Sequence, residues 1–261
     1  MSARTLPDDR LTRALLTAGV VVGPLTCSVF TVEGRRREGY SPRRHPVSAL
    51  ALGPRGWVQT ANFLISGPMT VAAAVGLRRS LRPGRTAAFI PAAVAAAGLG
   101  LIGAGFFPTD PVPGYPDPDV SNATGLHLRS VGRGLDPTGP NQTGLDPTLA
   151  GPAGVPDRPL TRTGSLHVLS AVPFFVGLPF ACLAGAVTSA KNGKRGSATF
   201  LGAPAVASMA GSSAAAAGFG GRWGLEETGG WWQRVSVAAG FAGLGGLATR
   251  SLRTGSSRRR G

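Results

Sequence analysis

Apolar residues in this chain come in long runs from which charge is missing. The windows 14–32, 56–77, 86–109, 163–190 and 196–221 contain no Asp, Glu, Lys or Arg, and each is 19 residues or longer. At 1.5 Å per helical residue, that length crosses a hydrocarbon core of about 30 Å. A sixth charge-free window, 235–249, is shorter and is extended upstream by Trp231 and Trp232. Core helices of soluble proteins keep one polar face, whereas these windows carry charge on no face. The pattern predicts an all-α polytopic membrane protein, a six-transmembrane-helix bundle forming one membrane domain over residues 1–261. The spans are expected near 14–32, 57–77, 86–107, 164–187, 198–218 and 232–249. Arg10 and Arg13 ahead of the first run suggest a secretory signal, but the run is long for one and no convincing small-residue cleavage site follows. The segment is read as a retained first helix.

Between windows three and four lies a long connection rich in Pro, Gly, Asp and Thr, with an imperfect repeat of Gly134-Leu135-Asp136-Pro137-Thr138 at Gly144-Leu145-Asp146-Pro147-Thr148. Such composition buries too little apolar surface to offset chain entropy, so 117–160 is predicted to be a disordered third loop, with His127 solvated inside it. Small residues recur at helix-packing spacing: Gly177, Ala181 and Gly185 in the fourth span, and Ala203, Ala207, Gly211 and Ala215 in the fifth. These stripes are expected to form seams between helices. Pro24, Pro68, Pro91, Pro173, Pro179 and Pro204 fall inside spans, where bundle neighbours tolerate the bends they cause. Cys27 and Cys182 are expected at different depths and are not expected to pair.

The net charge of +15 and a pI near 11.7 change the picture only in part. In a soluble protein they would suggest nucleic acid. Here the cations sit between apolar windows, so the expected partners are the lipid bilayer and anionic lipid headgroups, not nucleic acid. The tail, the Arg78–Arg85 and Lys191–Arg195 turns and the N-terminus together hold 15 of the 27 Lys and Arg residues, which places both termini on the cytoplasmic side of a cell membrane. The first loop, with Arg35, Arg36, Arg37, Arg43, Arg44 and Arg55, breaks this asymmetry. Its plain reading is a solvated or headgroup-facing surface, with Glu226 and Glu227 of the fifth loop as partners. Trp57, Trp223, Trp231 and Trp232 would anchor the odd-loop interface.

The chemistry-bearing residues gather at that same end. His45 and Ser48 precede the second span, Gln59, Asn62 and Ser66 share one face within it, Asp110 ends the third, and His167 with Ser170 opens the fourth. A carboxylate and two imidazoles beside hydroxyls can do acid/base chemistry or activate a serine, so Asp110, His167, His45 and Ser48 are the catalytic candidates. Arg43, Arg44, Gln59 and Asn62 are the ligand-binding candidates. The plainer alternatives stand beside them: Asp110 as a helix-end acceptor of loop amides or a partner of Arg43 or Arg44, and His167, Gln59 and Asn62 as interhelical hydrogen-bonding groups. The chain has no HExxH, GxSxG, CxxC or Cys/His metal spacing, no metal site is assigned, and the cofactor, if any, is unknown.

Three stretches resemble a bacterial family of six-helix membrane proteins catalogued as domain of unknown function 998. They are Tyr40-Ser41-Pro42-Arg43-Arg44-His45-Pro46-Val47-Ser48-Ala49-Leu50, running on through Gly53-Pro54-Arg55-Gly56-Trp57-Val58-Gln59; Phe106-Phe107-Pro108-Thr109-Asp110-Pro111; and Leu166-His167. The resemblance implies a six-helix integral membrane protein whose third loop carries an insertion, and it implies no reaction. Two functions are therefore expected: binding of lipid or a small ligand at the outer face, or a membrane-embedded hydrolase built on the Asp/His cluster. Transport ranks below both, because the polar groups lie toward one face instead of the midplane.

Overall fold

The structure, a computed structural model, describes residues 9–81, 84–116 and 159–257. The disordered loop, repeat and solvated His127 expected between 117 and 160 fall almost wholly outside them. Among the described residues the chain is all-helical: α1 (Asp9–Arg36), a short 3-10 helix (Val47–Ala51), α2 (Gly56–Ser80), α3 (Arg85–Phe106), α4 (Arg162–Lys191), α5 (Arg195–Phe219) and α6 (Gly229–Ser257). The only strand-like pairing described is one bridge between Val112 and Tyr115. The helices outrun the charge-free windows because basic residues are good helix formers and suit a helix C-terminus, as Arg35, Arg36, Arg78, Arg79 and Lys191 do in the last turns of α1, α2 and α4.

Five helices are long and apolar enough to cross a membrane: Arg10–Arg36, Gly56–Ser80, Thr86–Phe106, Arg162–Lys191 and Arg195–Phe219. α6 is not among them. Arg234, Arg250 and Arg253 bracket its apolar stretch, and its surface meets protein on most sides.

Each helix packs on the next in sequence, and α6 closes the ring on α1 while also touching α4 and α2. α6 is accordingly the innermost helix, with Leu244 and Ala248 fully buried. Its only large exposed apolar side chain is Trp231, whereas Val21 and Leu25, Ile65 and Val75, Phe89 and Leu99, Val168 and Leu169, and Phe200 and Val206 project outward from α1 to α5. Apolar groups on the outside and small residues at the seams are what lipid as solvent selects.

The seams show why glycine is needed. A Cβ at Gly67 would stand 2.8 Å from the Gly98 carbonyl oxygen, and one at Gly98 would stand 2.8 Å from that of Gly67, so α2 and α3 cross backbone to backbone. The fourth-span stripe does lie in seams: Gly177 abuts Ala93 of α3, Ala181 is fully buried, and Gly185 meets Leu247 of α6 and Leu201 of α5. The fifth-span stripe needs correction. Ala203 faces outward, and the buried line of α5 runs Leu201, Ala205, Ser208, Gly211 and Ala215. The rotation follows from a polar seam. Ser208 and Ser212 hydrogen-bond Ser236 of α6, and satisfying those hydroxyls outweighs exposing one alanine methyl. Cys27 and Cys182 are free thiols.

Candidate functional site

At the odd-loop end the first loop folds back over the bundle instead of lying loose. Glu33, in the last turns of α1, has a side chain 4% exposed and is gripped from two sides. Arg37 Nη2 donates to Glu33 Oε1 at 2.7 Å, while Arg55 donates Nε to Oε1 at 3.0 Å and Nη2 to Oε2 at 2.8 Å. Arg37 spends its remaining donors on the Leu50 and Leu52 carbonyls and on the Tyr115 hydroxyl, 3.2 Å away. Its side chain is 8% exposed, so this arginine is an internal strut, the exception in a first loop expected to be solvated or headgroup-facing, whose Arg35, Arg36, Arg43, Arg44 and Arg55 are exposed. A buried carboxylate keeps its charge only with such partners, and both guanidiniums come from the loop it anchors.

A second arginine closes the other side. Arg234, one turn into α6, donates Nη1 to the carbonyls of Pro42 (2.6 Å) and Gly230 (2.9 Å), and Nη2 to the Tyr40 hydroxyl. Its guanidinium also lies 5.8 Å from the Phe30 ring centroid and 5.5 Å from that of Tyr40. Trp231 N–H donates to the Arg43 carbonyl and Val47 N–H to Gln233 Oε1, so α6 carries the whole 40–47 turn.

His45 is caged in this turn. Its ring sits 5.5 Å from that of Tyr40 and 5.6 Å from that of Tyr115, and Nδ1 accepts the Ser41 N–H at 3.0 Å. With Nδ1 accepting and a backbone hydrogen bond to Pro113 made as well, the neutral Nε2–H tautomer fits the site. Burial, and then the nearby Arg44 cation, hold its pKa below the ordinary histidine value. Burial likewise pushes the Tyr40 and Tyr115 hydroxyls up, against the pull of Arg234 and Arg37 respectively.

Asp110 and His167 tie α3 to α4. Asp110 Oδ2 accepts the Thr161 N–H at 2.8 Å and Oδ1 the Thr161 hydroxyl at 2.6 Å, while Thr161 caps α4 by accepting the Gly164 N–H. A carboxylate at a helix N-terminus also faces the positive end of the helix dipole. A Cβ on Gly164 would overlap that carboxylate, which explains the glycine. One turn on, His167 Nδ1 lies 2.8 Å from the Phe107 carbonyl oxygen, and the imidazole stacks edgewise on Phe63. Of the plainer alternatives, Asp110 pairs with neither arginine offered to it. Arg44 pairs with Glu227 at 3.0 Å, both largely exposed.

Beneath this roof lies a cavity of about 560 Å³ to which all six helices contribute. Arg44, His45, Ser48, Gln59, Asp110 and His167 line it, which brings together six of the eight residues singled out from sequence. Arg43 is exposed on the roof outside it, and Asn62 stands behind the wall, donating to the Thr26 carbonyl and to Gln59 Oε1 at 3.3 Å each. Ser66 continues that buried string by bonding the Thr26 hydroxyl. The rest of the lining is mainly apolar, including Phe30, Phe63, Leu101, Phe174, Val237 and Phe241. Val168, Val172 and Val176 belong to the lining and also lie 46–50% exposed on the outer face of α4. The cavity therefore reaches the lipid-facing side of the bundle. No hydrogen bond links any two of His45, Ser48, Asp110 and His167 among the described residues, and no three His, Cys, Asp or Glu side chains gather there as a metal would need.

The helices, their apolar outer surface and the one-ended polar roof define a multi-pass membrane protein. The chain belongs to the family described as "Protein of unknown function (DUF998)", whose model matches residues 20–250. No curated protein and no solved structure matches it.

Proposed function

We propose that the protein is a cell-membrane protein with six spans, α6 the innermost, and both termini cytoplasmic, and that it binds a membrane amphiphile in the cavity at its outer end. One observation carries the reading: a largely apolar cavity of about 560 Å³ that meets the lipid face beside α4 and ends under a roof of fixed polar groups. That volume lies within the roughly 300–1,000 Å³ of small-molecule sites, and apolar walls with a few convergent polar groups are their usual composition. Arg44 on the rim and Arg43 above it supply the positive potential that favours an anionic headgroup.

Hydrolysis has less support. A nucleophile needs a base within hydrogen-bond reach, and here Asp110 is spent on Thr161, His167 Nδ1 on Phe107 and His45 Nδ1 on Ser41.

The test is binding of radiolabelled oleate to the purified full chain in maltoside micelles. The reading expects saturable binding of one oleate per chain that weakens as salt screens the rim arginines. Absent binding contradicts the amphiphile site, and binding indifferent to salt contradicts the role given to Arg43 and Arg44.

A further inference from the structure

One residue that lines the cavity carries a polar atom without a partner. Gln59 is fully buried, and its Nε2 is the only buried side-chain nitrogen or oxygen among the described residues that makes no hydrogen bond. The orientation of its amide is set by its neighbour. Asn62 Nδ2 donates at 3.3 Å both to the Thr26 carbonyl and to Gln59 Oε1, so turning the Gln59 amide over would set donor against donor. Both Nε2 hydrogens are therefore left unbonded on a residue that lines the cavity.

A buried amide donor without an acceptor is costly, and native proteins rarely keep one without a purpose. Phe30, Phe63 and Leu101, which line the same cavity, carry no side-chain acceptor. A charged oxygen at that depth would be stripped of water with no cation beside it, since the arginines of this end are at the rim or engaged in the roof. An uncharged carbonyl oxygen meets the requirement without that penalty.

Resting on the amphiphile-binding reading, we infer that Gln59 is a specificity residue: its Nε2 donates to the ester carbonyl of a bound single-chain acyl lipid, whose chain occupies the apolar cavity and whose head lies under the His45–Asp110 roof. A cavity of about 560 Å³ lies within the size range of small-molecule sites, which one acyl chain suits. Gln59 thus reads where the ester sits along the molecule, and the rim arginines read the charge of its head.

The experiment uses two probes that differ by that carbonyl alone, 1-monooleoylglycerol and its ether analogue 1-O-oleylglycerol, bound to the purified full chain in maltoside micelles. Wild type should bind the ester about tenfold more tightly than the ether, the scale of one buried hydrogen bond against an unmet donor. Gln59→Leu, and independently Gln59→Met, should bind both probes alike, with ether affinity equal to wild type or better. Two results overturn the inference while leaving the amphiphile site standing: equal binding of the two probes by wild type, or an ester preference that survives in both variants. Failure of wild type to bind either probe overturns this role of Gln59, and the oleate measurement then decides whether the amphiphile site stands.

Discussion

The two ends of the bundle are both rich in arginine and use it in different ways. At the odd-loop end Arg37, Arg55 and Arg234 are directed inward onto Glu33, Tyr40, Tyr115 and loop carbonyls, and they hold a folded roof over a cavity. At the other end the turns are short, Lys191, Lys194 and Arg195 are exposed, and Arg78, Arg79 and Arg250 bond the Ala87 carbonyl and the Thr12 and Ser189 hydroxyls across helix seams without folding a loop over the bundle. Basic residues near a membrane therefore come in two kinds, those that face headgroups and those that hold loops. The distinction gives part of the arginine in the first loop a structural role, that of holding the roof. Glu33 offsets one of the two charges of Arg37 and Arg55 and Glu227 offsets Arg44, so the six first-loop arginines keep a net +4, or +3 with Glu38 counted.

The contrast breaks first at Glu33. Glu33→Ala leaves two guanidiniums facing an emptied site, and a destabilisation of about 3 kcal/mol is expected from losing one member of a buried charge cluster. Thermal unfolding in micelles would show it, and a variant as stable as wild type would deny the roof its keystone. Gly164→Ala comes next, at about 2 kcal/mol, because the new methyl must displace the Asp110 carboxylate from the start of α4. Asp110→Ala, which loses the same latch without a clash, should cost about 1 kcal/mol.

A pH effect follows in size. His45 is held neutral among Tyr40, Tyr115, Arg44 and Arg234, with Glu227 as the opposing charge, so its folded pKa lies below the unfolded value of about 6.5. Below that unfolded value the unfolded chain binds the extra proton first. Stability is then lost as pH falls through the unfolded value toward the folded one, and is fully present above it. His45→Gln should flatten this slope in unfolding midpoints taken between about pH 7 and pH 5, and an unchanged slope would assign it to another group. Smallest is Lys191→Ala at the opposite end, expected within about 0.5 kcal/mol of wild type in the same assay.

Much of the fold and of the site is legible in the amino-acid sequence. The helices follow from where charge is absent, and the site end follows from where polar residues interrupt apolar runs. His45, Asp110 and His167 stand out there because they are costly groups at membrane edges. Partnership is what the sequence hides. Glu33 sits just beyond the end of an apolar window, and nothing local pairs it with Arg55, 22 positions on. Arg234 lies 194 positions from Tyr40, so its place in the roof depends on ring closure by α6. The buried stripe of α5 escapes a reading by spacing because small residues lie all around that helix, and three serines choose the buried side.

The central claim, that the cavity under the roof holds a membrane amphiphile, is tested most directly by native mass spectrometry of the full chain extracted from membranes. The comparison is with Ala216→Trp, which fills the cavity from a wall position that is itself exposed and so tolerant of bulk. The account predicts a wild-type peak carrying one lipid-sized adduct and an adduct-free variant of unchanged stability. Wild type without an adduct, or the same adduct on both proteins, would contradict it.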